Sequence, residues 1–236
     1  MHIRLLILPL CLFATAAGQA PSERRFMLTD FERIRVDGPF RVEVTTGLPA
    51  GASVSGDSRA SGRVDLRVDG GILVVAPSSS GWDGWKESGG EQLVIRVKAR
   101  ALHGARVNGG GALTVDRMAG ARIDLGVNGS GRLTVGSVSG DQLVATLSGS
   151  GTLTLSGGSV QRARFLTAGA GSVDAAGASA SELVVQSQSS GDSRYHARLT
   201  AGVASLGSGT VRVEGPAVCR LSGTGPSSCA GKMERR

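Results

Sequence analysis

The chain has 236 residues, 37 of them glycine, more than twice the ordinary level of about 7%, and only 3% are aromatic. A hydrophobic content of 40% with Val, Leu and Ile recurring in ordered patterns excludes low-complexity disorder, and glycine without a three-residue period excludes collagen. The formal charge of +7 comes from singly scattered basic residues and a Lys232–Arg236 tail, which favours solubility over nucleic-acid recognition and is compatible with weak attraction to acidic polysaccharide or phospholipid.

Residues 1–20 read as a secretory signal peptide, with Arg4 as the positive start and Leu5–Phe13 as the apolar stretch. Ala14-Thr15-Ala16 or Ala16-Ala17-Gly18 supplies the small-residue cleavage site. Leu10 immediately before Cys11 disfavours a lipoprotein signal, which wants a small residue there. Past this leader no apolar run approaches the roughly 20 residues of a membrane-spanning helix. The expected location is therefore the periplasm, the cell surface or the medium.

Residues 30–105 carry strands without a strict period. Ile34/Val36, Val42/Val44, Val64/Leu66/Val68, Leu73/Val75 and Leu93/Ile95/Val97 alternate with polar residues, and Asp37-Gly38-Pro39 and Asp69-Gly70-Gly71 read as turns. This region is expected to form less regular coils and to cap the first open edge. Between its strands lies a polar loop, 78–90, that holds both tryptophans, Trp82 and Trp85. An exposed aromatic pair can stack on sugar rings or anchor a protein contact; alternatively the rings fold back over an open edge.

Residues 106–215 repeat. Small-residue triplets stand at Gly109-Gly110-Gly111, Gly129-Ser130-Gly131, Gly149-Ser150-Gly151, Gly169-Ala170-Gly171, Ser189-Ser190-Gly191 and Gly207-Ser208-Gly209, spaced by 20, 20, 20, 20 and 18. Apolar residues keep the register: Leu113/Val115, Leu133/Val135, Leu153/Leu155 and Val173/Ala175 form one inward set. Ile123/Leu125, Leu143/Ala145, Ala163/Phe165 and Leu183/Val185 form a second. Glycines 120, 140, 158 and 177 mark a turn near each midpoint. The pattern predicts an all-β solenoid of about 20-residue coils with two sheets facing across about 10 Å. Coils rising about 4.8 Å each make a rod roughly 25–30 Å long. So thin a core suits Leu, Val and Ala. The triplets form the sharp edge, where backbones crowd and positive φ is needed. Asn108 and Asn128, just before two triplets, are placed for a short amide ladder.

Residues 216–236 form a C-terminal cap and tail in which Cys219 and Cys229 can close a short loop in an oxidising compartment. Such a disulfide contributes roughly 3 kcal/mol if unstrained. Zinc needs four ligands, and no histidine lies near either cysteine.

The stretch Phe31-Glu32-Arg33-Ile34-Arg35-Val36-Asp37-Gly38-Pro39-Phe40-Arg41-Val42-Glu43-Val44, the later Leu93–Val97 and the serial triplets resemble the bacterial head GIN domain family over residues 30–215. Members of that family are labelled autotransporter adhesins. The resemblance implies a right-handed β-helix related in shape to pectate lyases, without their catalytic residues, and a role in cell adhesion.

Catalytic chemistry finds no local support. Beyond the leader the histidines are His103 and His196, and no motif selects a nucleophile. Asp124, Asp141 and Asp174 are isolated on different coils or turns, and the Ser-Gly-Asp stretches at 55–57, 139–141 and 190–192 lack the calcium β-roll pattern. No metal or cofactor is expected. The reading is an exported, non-enzymatic protein that binds glycan or a cell-surface protein through repetitive faces or the tryptophan loop. A periplasmic carbohydrate-active enzyme and a structural envelope component that oligomerises by stacking are the alternatives. Replacing Trp82 and Trp85 together by Ala is expected to abolish ligand binding while sparing the fold if the loop is a site. A large fall in Tm would instead mark the rings as structural.

Overall fold

The computed structural model describes residues 22–56, 62–78 and 93–234. These residues contain strand and turn but no helix, and the strands join one continuous sheet that wraps around a single apolar core. The regular part of this β-solenoid is built from β9 (Ala112–Gly129), β10 (Arg132–Gly149), β11 (Thr152–Leu155), β12 (Gly158–Gly169), β13 (Ser172–Ser189) and β14 (Ser193–Ser205). All of them pair in parallel, each residue lying over the one 20 positions earlier through β13. The glycines near the repeat midpoints do not interrupt β9 or β10; both strands bend there and continue. A short side between the bends places Met118 and Val138 inward, a third buried position beside the two expected sets.

Rows of identical position run along the rod: Leu113, Leu133, Leu153 and Val173 in one, Ile123, Leu143, Ala163 and Leu183 in another, all buried. Each fully buried aliphatic side chain of this kind contributes about 1.5–3 kcal/mol. Alternate residues point to solvent, so every rung has one dry and one wet edge.

The triplet corners stack directly. The amides of Ser150 and Gly151 donate to the Gly129 carbonyl at 3.0 and 2.9 Å, and those of Ala170 and Gly171 donate to Gly149 at 2.9 and 2.8 Å. The first glycine of the corner has φ of 94°, 109°, 110° and 108° at positions 109, 129, 149 and 169. At the fifth corner Ser189 replaces it, φ is no longer positive, and the serine hydroxyl donates to the Gly171 carbonyl at 2.7 Å.

The coils shorten from there. Between β13 and β14 the register slips around Ala175–Ser179 and again at Ala180–Glu182. Partners are then 18 apart between β14 and β15 (Val211–Glu214) or β16 (Val218–Ser222). They are 16 apart from β15 to β17 (Ser227–Cys229), and 14 apart from β16 to β18 (Lys232–Met233). A disulfide joins Cys219 to Cys229 across the tapered tip, with Cα atoms 6.5 Å apart. Cys219 lies in the row of Leu183 and Ala201, and Cys229 in that of Tyr195 and Val213, so the bridge spans the core between the two long sides.

At the other end the stacking departs from chain order. β2 (Arg33–Asp37) and β3 (Arg41–Thr46) lie against β8 (Gly104–Asn108) and β9. The chain then leaves through β4 (Gly51–Gly56) and β5 (Val64–Asp69). It returns as β6 (Ile72–Pro77) and β7 (Val94–Ala99), which form a coil beyond β2 and β3. Antiparallel strands finish this end: β5 on β6, β4 on β7, and β1 (Ser22–Met27) on β4.

Tyr195 is the one large polar side chain in the core among the described residues, 1% exposed and with its ring 4.7 Å from that of Phe165. Its hydroxyl, like those of Ser193 and Ser205, makes no hydrogen bond among the described residues. Burial raises the phenol's pKa far above the ordinary tyrosine range, and the Ser193 hydroxyl, which lies close but outside hydrogen-bond geometry, only partly opposes it. In the row Leu147, Thr167, Ser187, Ser205 the core itself turns polar, and Thr167 donates to Ser187 at 3.0 Å.

Two outcomes follow from this packing. A methyl added at Gly131 would sit 2.6 Å from the Gly111 carbonyl oxygen, whereas one at Gly202 would meet nothing within 4 Å. In denaturant melts, Gly131→Ala is expected to lose about 2–3 kcal/mol. Gly202→Ala is expected to be neutral or to stabilise by up to about 1 kcal/mol. A phenol whose pKa is raised by folding stays protonated in the fold while the unfolded chain ionises, so stability is full below about pH 10 and falls above it. Tyr195→Phe should abolish that alkaline slope in Tm and, by removing an unpartnered buried hydroxyl, add about 1 kcal/mol at neutral pH. Tyr195 is the chain's one tyrosine, so tyrosinate absorbance reports this site alone.

Candidate functional site

Because the coils are in register, each outward position becomes a row of side chains along the rod. Two long faces result. One is built from the first segment of each coil and carries the row Glu43, Thr114, Thr134, Thr154, Asp174, Arg194, Arg212. The other, broader face is built from the last segment of each coil, from β2 through β8, β9, β10, β12, β13 and β14 to β16.

The broad face is cationic with an aliphatic strip. Arg122 is held by Asp124, its Nε donating to both carboxylate oxygens at 3.1 Å, and this pairing raises the guanidinium pKa further. Arg35 donates to Asp37 at 2.9 Å. Near the tip Arg220 makes a two-pronged contact with Glu234 at 2.7 and 2.8 Å, which holds the Glu234 carboxyl below its ordinary range. These pairs are exposed or half-exposed and contribute little to stability. Arg162 and Arg164, exposed on β12, form neither an ion pair nor a hydrogen bond among the described residues. Both line a shallow groove of about 610 Å³, together with Arg122, Val144, Leu166, Glu182 and Val184, among others.

The glycines and serines of the triplets fall on the corner ridge between the faces. Ser130, Ser150 and Ser208 are exposed there, while Gly111, Gly131, Gly151, Gly171 and Gly209 are buried against the preceding corner and Gly207 is half-buried. Asn108 does not ladder with Asn128: its amide donates to Asp37 on the preceding rung at 2.7 Å. Trp82 and Trp85 lie outside the described residues, as does the leader 1–20.

Catalytic groups do not converge among the described residues. His103 faces Glu32 at 3.8 Å, and His196 lies on the bend beside Tyr195, well separated in the stack. Asp124 is tied to Arg122, and Asp174 accepts from the Ala176 amide at 3.3 Å. No group of three or more His, Cys, Asp or Glu side chains among the described residues is placed to hold a metal ion. No helix in the described part is long and apolar enough to cross a membrane. The long faces offer rigid rows of guanidinium, hydroxyl and aliphatic groups at fixed spacing.

Comparison with the curated proteins finds no match. Among solved structures, a "putative adhesin" from Bacteroides fragilis superposes with a TM-score of 0.75 at 18% identity, covering 90% of this chain and 97% of that chain. A "putative adhesin" from Parabacteroides distasonis gives 0.71 at 18% identity over 89% and 97%. A "putative lipid binding protein" from the same species gives 0.64 at 20% identity over 92% and 98%. At these identities the likeness is one of fold. The family model described as "Putative auto-transporter adhesin, head GIN domain" matches residues 30–217, and with that span the chain belongs to the head GIN domain family.

Proposed function

We propose that this is an exported, non-enzymatic binding protein of the adhesin type that engages a surface partner through the repeated rungs of its long faces. The observation that carries the reading is the register itself: the same outward positions recur on successive coils of a rigid rod. Individually weak contacts spaced in this way add by avidity when the partner is itself a repeating surface. Membership of an adhesin-labelled family supports it, and the leader read at residues 1–20 supports export. The partner classes it fits are envelope glycans and lipids and proteins at a cell surface. The tryptophan loop, with Trp82 and Trp85, is proposed as a second contact.

A lyase-like carbohydrate enzyme would need clustered acids and a basic group within reach of one sugar, an arrangement that the separated Asp124, Asp141 and Asp174 do not offer. The mature chain, immobilised at high density, is expected to retain envelope fragments and members of a glycan array, and to release them slowly. Sparse immobilisation should weaken retention steeply. Inertness toward both materials would overturn the reading, and so would release of new reducing ends from polysaccharides incubated with the protein.

A further inference from the structure

On the broad face, β12 presents Arg162, Arg164 and Leu166 outward in succession, one every second residue. Arg164 stands between Val144 and Val184 on the neighbouring rungs, and Leu166 between Thr146 and Gln186. Val184 is 37% exposed, and Val218, further along the same face, is 43% exposed. Two free guanidinium groups thus rise from a floor of valine and leucine and line the groove of about 610 Å³. Glu182, next to Arg162 in register, lines the same groove and forms no ion pair with it.

That combination selects among surface partners. Guanidinium binds phosphate oxygens in a fork and sheds its water readily. Aliphatic side chains gain from an acyl boundary and nothing from hydroxyl-covered sugar. Sugar faces stack on aromatic rings, yet Phe31, Phe40, Phe165 and Tyr195 are all buried, and among the described residues β10, β12 and β13 turn no aromatic ring outward on this face. The flat, stiff strands allow shallow contact only, so the attraction is mainly electrostatic and falls with salt.

We propose that the broad face docks on an anionic phospholipid surface, with Arg162 and Arg164 on the lipid phosphates and Val144, Leu166 and Val184 against the acyl boundary. This rests on the surface-binding reading above and names the face and the chemistry. The other long face, with Thr114, Thr134 and Thr154 in file, lacks the aliphatic floor and points away.

The test is co-sedimentation of the mature chain with vesicles of equimolar phosphatidylcholine and phosphatidylglycerol, and with phosphatidylcholine alone. Binding is expected only to the anionic vesicles and to decline with salt. Arg162→Gln with Arg164→Gln should weaken it about 30-fold, from about 1 kcal/mol per basic residue at a charged membrane. Arg194→Gln with Arg212→Gln removes the same charge from the other face and should leave binding nearly unchanged, and unaltered Tm in both pairs excludes misfolding. Val184→Thr should weaken binding by a smaller factor. Equal losses from both arginine pairs would overturn the assignment, as would equal binding to both vesicle types. Binding of polygalacturonate through Arg162 and Arg164 without vesicle binding would overturn it in favour of an acidic glycan. If vesicles fail while envelope fragments are still retained, the face assignment falls and the adhesin-type reading stands.

Discussion

The close approach of one corner to the next governs this molecule. Backbone amides of the corners at Ser150, Ala170 and Ser190 reach the carbonyl of the preceding corner at 2.8–3.0 Å, and a methyl at Gly149 or Gly169 would come within 2.5–2.6 Å of a backbone oxygen. Nothing larger than hydrogen fits there. A coil that turns at such a corner has its perimeter set by its neighbour, because any added residue would push the next corner out of line. The 20-residue period is therefore a steric property before it is a statistical one.

Relaxing the constraint shows its reach. Where Ser189 stands in place of glycine, the corner adopts an ordinary backbone conformation and closes with its own hydroxyl. The following coils are shorter, and the rod narrows to a tip bridged by Cys219 and Cys229. A thin end has little apolar area to bury, and a covalent link between its two sides replaces packing it cannot supply. At the opposite end the edge strands run antiparallel, and Asp65, Arg67 and Asp69 place charge along β5. Charged and short edge strands discourage the addition of strands from another molecule.

Holding every rung at a fixed height also separates fold from function. Inward positions are bound by packing, but an outward side chain touches only its neighbours along the row, so the faces can diverge in chemistry without cost to the core. One face here became a file of threonines flanked by charge, and the other a set of arginines over aliphatic residues. The family relationship speaks to the rod, and the side chains of the faces speak to what the rod holds.

The period of the triplets and the alternation of Leu and Val were enough to determine the solenoid, because both are local consequences of strand geometry repeated along the chain. The inward rows, including the unusual Tyr195, follow from the same count. Other features depended on contacts distant in sequence. Ala52 and Val54 in β4 and Phe26 in β1 form too short and polar a pattern to announce strands, and they exist because β4 pairs with β7 and β1 pairs with β4. The placing of β6 and β7 outside β2 and β3 reverses chain order, which no periodicity records. The bends at the midpoint glycines look like turns in sequence, but parallel partners on both sides carry the strand through them. The groove lined by Arg162 and Arg164 was illegible for a related reason: arginines 162 and 164 and valines 144 and 184 are distant in the chain and meet only because one coil lies on the next.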